Sequence, residues 1–93
     1  MLRPALVIQA DHLQTGLSQV IVAMVTSRLF RANHPSRVTV QRTSPEGQQS
    51  GLLTDSVVMT DNLATIAESE IDRAISISPM AEIDRALRHT LDL

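Results

Sequence analysis

The longest unbroken apolar run, Val20 to Val25, lies inside Gln19-Val20-Ile21-Val22-Ala23-Met24-Val25-Thr26. This stretch is rich in β-branched residues, which predicts a strand at the centre of a sheet. A shorter apolar run, Leu6-Val7-Ile8, predicts a buried strand, with Pro4 at its start where a missing N–H is tolerable. Arg37-Val38-Thr39-Val40-Gln41 alternates polar and apolar residues, as a strand with one wet face does. Ser56-Val57-Val58-Met59-Thr60 predicts a fourth strand with Thr65-Ile66 as a short extension, and Ala74-Ile75-Ser76-Ile77 alternates as a fifth.

Between these runs the chain is polar. Ala10 to Ser18, with Gly16, reads as a connection, and Ser27 to Ser36 as a basic loop closed by His34-Pro35. Residues 42–51 hold Pro45, Gly47 and Gly51 among polar residues, which predicts a turn or mobile loop, the least ordered stretch of the chain. Glu68-Ser69-Glu70-Ile71 reads as one turn of helix. The clearest helix comes last: Ser78 suits an N-cap, Pro79 the first helical position, and Glu82 the first turn. Met80, Ile83, Leu87 and Leu91 then fall on one face, opposite Asp84, Arg85, Arg88 and Asp92. The mixed charge of that polar side points to a core or subunit contact rather than a membrane-binding face. Four or five short strands and one terminal helix predict a mainly β fold with α, a small and largely antiparallel barrel.

At 93 residues, 43% apolar and 19% charged, the chain fits one small domain over 1–93. A domain of this size buries only about two-thirds of its unfolded surface, so a subunit interface would add stability. The apolar runs fall far short of a membrane span and the amino terminus lacks a signal pattern, so a soluble cytoplasmic protein is expected. The absence of Cys excludes disulfides and Cys-based zinc sites. A net charge of −2 hides an asymmetry: residues 1–50 carry +3 and residues 51–93 carry −5. All eight basic residues are Arg, whose planar fork of donors suits phosphate or carboxylate, although an Arg-rich composition has the same look. Phe30 is the only aromatic, so the base-stacking platforms of single-strand binding barrels are largely unavailable on one subunit.

His12, His34 and His89 are far apart in sequence and form no metal-binding spacing, and no phosphate-binding Gly-rich loop or nucleophile elbow is present. No cofactor is expected. Chemistry is left to Arg, hydroxyls, carboxylates and water. Three polar groups at strand ends stand out: Arg3 before the first strand, Thr26-Ser27-Arg28 after the second, and Asp61-Asn62 after the fourth. Brought together, a guanidinium and a hydroxyl would hold a phosphodiester and stabilise the extra charge of its transition state, with a carboxylate or amide to relay a proton. Taken singly, Arg3 reads equally as a surface salt bridge, Thr26 as a hydroxyl bonded to backbone, and Asp55 or Asp61 as a turn residue.

Four segments in order resemble the MazF/PemK family of toxins from bacterial toxin–antitoxin pairs. They are Arg3-Pro4-Ala5-Leu6-Val7-Ile8-Gln9-Ala10-Asp11, Val20-Ile21-Val22-Ala23-Met24-Val25-Thr26-Ser27-Arg28, Gly51-Leu52-Leu53-Thr54-Asp55-Ser56-Val57-Val58 and Ile83-Asp84-Arg85-Ala86-Leu87. The resemblance implies an SH3-like (CcdB/PemK-type) antiparallel β-barrel with a C-terminal α-helix, a homodimer, and a cognate antitoxin as partner. It also implies a metal-independent endoribonuclease that cuts single-stranded RNA by attack of the 2′-hydroxyl on the adjacent phosphate. The family's catalytic Arg and Thr match Arg3 and Thr26. Arg3 is assigned to charge stabilisation, since a guanidinium with a pKa above about 12 is a poor base. Thr26 is assigned to the scissile phosphate, and Ser27, Arg28, Asp61 and Asn62 to RNA binding.

The chain departs from the family pattern in places. Relatives carry a further strand and a long loop before the Arg-Pro pair, whereas this sequence opens with Met1-Leu2-Arg3. Either the true start lies upstream or the domain is naturally short at its N-terminus, and the missing strand leaves a sheet edge unpaired unless a partner covers it. Asn62 stands where Gln is common, and Ala64 where Arg is common. Beside the nuclease, the alternative is a catalytically weak or inactive relative that binds antitoxin or RNA without cutting. A gyrase poison on the same barrel is disfavoured, because such proteins depend on a Trp near the carboxyl end and this chain has none.

Overall fold

The computed structural model describes residues 4–8, 15–70, 73–75 and 81–93, with the backbone alone given for residues 4 and 73–75. Strands β1 (Pro4–Val7), β2 (Gln19–Thr26), β3 (Arg37–Val40), β4 (Ser56–Ala67) and β5 (Arg73–Ile75) form one sheet in the order β3-β4-β2-β1-β5. The β1–β2, β2–β4 and β3–β4 pairs are antiparallel, and β5 joins β1 in parallel. Helices α1 (Pro45–Ser50) and α2 (Ala81–Leu91) complete the fold with 3-10 turns at Leu29–Arg31 and Glu68–Glu70.

Cross-strand partners share a face of the sheet, so the register sorts the side chains. Leu6, Ala23, Val25, Val40 and Val58 make the core on the face that α2 covers with Ile83, and Val38, Leu63 and Leu87 pack around it. Full burial of a side chain such as Ile83 stabilises by about 1.5–3 kcal/mol. Strand β4 runs unbroken for 12 residues, which corrects the expectation of a strand plus a short extension. The polar pair Asp61-Asn62 reads as a strand end but lies in a bulge. Ala23 pairs with Leu63 and Met24 with Met59, so residues 60–62 have no counterpart on β2.

One further expectation is corrected, and the inward face of α2 is defined. Residues 42–51 contain α1, whose N-cap Ser44 accepts from the Gly47 N–H at 3.0 Å, with Pro45 at the first position and Gly51 closing it in the left-handed conformation. Gly47 is obligatory there, since a Cβ would run into the backbone of Gln41 and Arg42, with the Arg42 Cα at 2.9 Å. The Asp55 carboxylate accepts from the Arg42 N–H at 2.7 Å and ties the chain back where it leaves this excursion. On α2, Leu91 stays 52% exposed, and the inward positions are Ile83, Ala86, Leu87 and Thr90. Thr90 belongs to a buried hydroxyl cluster. Thr60 Oγ1 donates to the Ser36 carbonyl at 2.6 Å and lies 2.8 Å from Thr90 Oγ1, which is 2.7 Å from Ser36 Oγ and 3.0 Å from the Ala86 carbonyl.

The turn expected over 68–71 is the 3-10 turn Glu68–Glu70, and the fifth strand forms at Arg73–Ile75, slightly earlier than its pattern suggested. Strand β1 is paired on both sides, so the sheet edges fall on β3 and β5. The expected capping residues Ser78 and Pro79 lie outside the described residues, as does Met80.

Candidate functional site

The face of the sheet away from α2 carries the polar chemistry. Thr26 and Thr39 both pair with Val57, and Met24 and Arg37 both pair with Met59, so Thr26, Thr39 and Arg37 project on the same side. Asp61 joins them, because its carboxylate takes two bonds from Arg37: Nη2 to Oδ2 at 3.0 Å and Nε to Oδ1 at 3.4 Å. The alternation continues through the bulge: Thr60 points into the buried cluster and Asp61 out of it. Four residues of β4 at about 3.3 Å each put roughly 13 Å between the level of Thr26, at Val57, and Asp61. The two lie on one face but not in one contact. Asn62 is exposed in the same bulge.

Thr26 ends β2. Its Oγ1 accepts the Arg28 N–H at 3.2 Å, the backbone bond that the residue read singly had suggested. An acceptor bond to oxygen leaves the hydroxyl proton free to donate elsewhere. Ser27 and Arg28 are exposed, and neither joins an ion pair among the described residues. Antiparallel pairing of Ala5 with Met24 sets the amino end of β1 beside the Thr26 end of β2. Arg3, one residue before β1, lies outside the described residues.

Arg37 holds the site together. Besides Asp61, it donates through Nη1 to the Arg31 carbonyl at 2.9 Å, fastening the turn Leu29–Arg31 to the rim of this face. Its hydrogen bond is the main cause that holds the Asp61 carboxyl below the ordinary 3.8. Partial burial pushes the other way, while a backbone bond and the nearby charges of Arg37 and His34 lower it further.

Sequence reasoning missed two features of this region. Phe30, noted only as a lone aromatic, is 79% exposed at the tip of the turn, with the Arg31 guanidinium 5.7 Å from its ring centroid. His34 and His89, distant in sequence, meet edge to face with centroids 6.4 Å apart. No periodicity brings a loop residue and a helix residue together, so neither signal was in the pattern. Among the described residues, no three His, Asp or Glu side chains gather as a metal site would require.

A short, curled and mainly antiparallel sheet with a helix on one face and a polar array on the other defines a small, mainly β fold. A family model of PemK-like, MazF-like toxins of type II toxin–antitoxin systems matches residues 1–91, and the chain belongs to this family. It is 37% identical over 95 residues to Endoribonuclease MazF2 of Mycobacterium bovis and, equally, to Endoribonuclease MazF6 of Mycobacterium tuberculosis, covering 98% of this chain and 79% of each relative. Among solved structures, the fold is similar to the Mycobacterium tuberculosis toxin MazF-mt6, with a TM-score of 0.71 at 24% identity over 96% of this chain and 85% of the other. A mycobacterial endoribonuclease in complex with its cognate antitoxin matches with the same TM-score and identity, over 96% of this chain and 80% of that one.

Proposed function

We propose that this chain is the toxin of a type II toxin–antitoxin system, an endoribonuclease that cuts single-stranded RNA without a metal. Family membership supports the reading together with one observation: Thr26, the residue matching the family's catalytic Thr, stands at a strand end with its oxygen fixed by the Arg28 amide, a bond that does not use its proton. In the reaction, the 2′-oxygen attacks the adjacent phosphorus while the bond to the 5′-oxygen breaks. The products are a 2′,3′-cyclic phosphate and a 5′-hydroxyl, and the proton lost by the 2′-hydroxyl is balanced by one gained at the leaving oxygen.

Thr26 donates its proton to a non-bridging phosphate oxygen, and the Arg28 amide holds the hydroxyl in the orientation that permits this. Arg3, one residue before the end of β1 that neighbours Thr26, supplies the guanidinium that balances charge on the phosphorane. Ser27, Arg28 and Asn62 contact the strand, and Asp61 with Arg37 shapes the far end of the face. The face from Thr26 to Asp61, roughly 13 Å, is long enough for more than one nucleotide, which suits recognition of a short sequence rather than a single base.

The protein acts as a single domain over 1–93 and as a homodimer, because Leu91 and Leu93 remain 52% and 83% exposed at the end of α2, apolar area that a second copy would cover. Its other partner is a cognate antitoxin that competes for the RNA face. No helix among the described residues is long and apolar enough to cross a membrane, and an mRNA substrate assigns the activity to the cytoplasm.

The test is incubation of a long mixed-sequence RNA with the protein in EDTA, with cut sites and end groups mapped. Discrete cuts ending in cyclic phosphate are expected. Intact RNA beside protein that circular dichroism shows to be folded would overturn the nuclease assignment and leave a binding module.

A further inference from the structure

We propose that Phe30 is a base-stacking platform for the RNA strand that enters or leaves the Thr26 site, with Arg28 and Arg31 gripping the flanking phosphates. The inference rests on the nuclease reading and adds a residue to it. An aromatic ring of this size is ordinarily among the first to be buried, yet the chain's only aromatic is 79% exposed. The backbone that carries the ring is also held in place. The 3-10 turn that carries it closes with the Arg31 N–H to the Arg28 carbonyl and the Ala32 N–H to the Leu29 carbonyl, each at 3.0 Å. Arg37 anchors the same turn to the sheet through the Arg31 carbonyl at 2.9 Å, while its other nitrogens hold Asp61.

An exposed ring on a tethered turn loses little freedom when a planar partner docks, which is the property that makes an aromatic useful for recognition. The guanidinium of Arg31, 5.7 Å from the ring centroid, adds a flat cation beside the ring. Arg28 and Arg31 form no ion pair among the described residues, so their charge is available to phosphate. Phe30 lies four residues beyond Thr26, which limits the separation of their Cα atoms to about 14 Å. A base next to the scissile phosphate, or one nucleotide further on, is within that reach. Stacking on a π-face is tolerant of base identity, so Phe30 positions the strand while the sheet face selects the sequence.

The experiment uses the full chain and its Phe30→Leu and Phe30→Trp variants. Loss of a stacked base weakens single-strand binding by about 1–3 kcal/mol, or roughly 5- to 150-fold. For Phe30→Leu, the expectation is a KM for a short cleavable RNA raised within that range with kcat within about threefold of the parent, and a matching loss of affinity for the same RNA carrying a 2′-deoxy sugar at the cut site. Phe30→Trp should keep parental KM and give the chain its only indole, whose fluorescence is quenched by the deoxy-substituted RNA.

A wild-type enzyme that cuts while Phe30→Leu matches it in KM would overturn the platform and leave the nuclease reading intact. A wild type that cuts nothing would defeat the nuclease reading, and indole quenching by RNA would then still support the platform, whereas its absence would overturn both. An indole already buried without RNA, and increasingly so with protein concentration, would show that the turn meets a second copy of the chain and would also overturn the proposal.

Discussion

Replacing Thr60 with Val tests the buried hydroxyl cluster that pins α2 to the sheet. Thr60 is fully buried, and Val matches its shape, so the change removes a hydroxyl without opening a cavity. Two bonds disappear: the 2.6 Å donation to the Ser36 carbonyl and the 2.8 Å contact with Thr90. The groups left behind keep partners, since the Ser36 carbonyl still accepts the Thr60 N–H at 2.9 Å and the Thr90 hydroxyl still reaches Ser36 and the Ala86 carbonyl. The loss is therefore that of two ordinary net hydrogen bonds, about 1–3 kcal/mol, without the larger cost of an orphaned polar atom. For a domain of this length each kcal/mol moves the melting midpoint by roughly 4–8 °C. Thermal melts followed by circular dichroism should then show Thr60→Val lower by roughly 4–24 °C. Thr90→Val should be destabilising too, and the double variant less so than additivity requires, by at least about 0.5 kcal/mol. An unchanged midpoint, or strict additivity, would refute the idea that these hydroxyls act as a unit.

Gly47→Ala should destabilise the fold by about 1–3 kcal/mol through overpacking against the backbone of Gln41 and Arg42, read from urea midpoints. Asp61→Asn should lower the melting temperature near neutral pH. Because the folded carboxyl titrates below 3.8, the stability the pair provides is complete above the ordinary Asp range and lost as pH falls through the folded value, so the gap between wild type and variant should close below 3.8. A gap that stays constant with pH would mean that the Arg37–Asp61 pair contributes nothing through its charge. If antitoxin and RNA share the arginine-bearing rim of Arg28 and Arg31, raising salt should weaken both associations with similar slopes on a log–log plot of affinity, and a salt-insensitive antitoxin would contradict shared electrostatic recognition.

Much of the fold was legible because the strands obey local rules. The β-branched run from Gln19 to Thr26 coincides with β2 at both ends, and the alternation from Arg37 marks β3 to within one residue. Helix α1 was missed although its signals were present: Ser44, Pro45 and Glu46 repeat the cap, first-turn Pro and acidic logic applied to Ser78, Pro79 and Glu82. The two glycines outweighed them in the reading, yet Gly51 is the helix's own terminator and Gly47 is required by close approach of the chain. The break assigned at Asp61 arose because a bulge places polar residues mid-strand, where the partner of Asp61 is a guanidinium arriving from β3, a tertiary contact. On α2, helical spacing selected Leu91, whereas hydrogen bonding carried Thr90 inward instead. At the site, Thr26 was readable as a strand-end hydroxyl. The role of Arg37 as a joint clamp on Asp61 and the Arg31 carbonyl, and the exposure of Phe30, depend on contacts that no spacing rule encodes.

The central claim is that Thr26 and Arg3 act on a phosphodiester at the end of β2. Its most direct test compares cleavage of one defined RNA by the wild type, Thr26→Ala and Arg3→Ala, with the 3′ ends of the products identified chemically and each protein checked for folding. Loss of one such transition-state contact costs about 100- to 1,000-fold in kcat. The account predicts cyclic-phosphate ends from the wild type and a loss of that order in both variants, with melting curves near that of the parent. Cleavage by folded Thr26→Ala at the wild-type rate would contradict it.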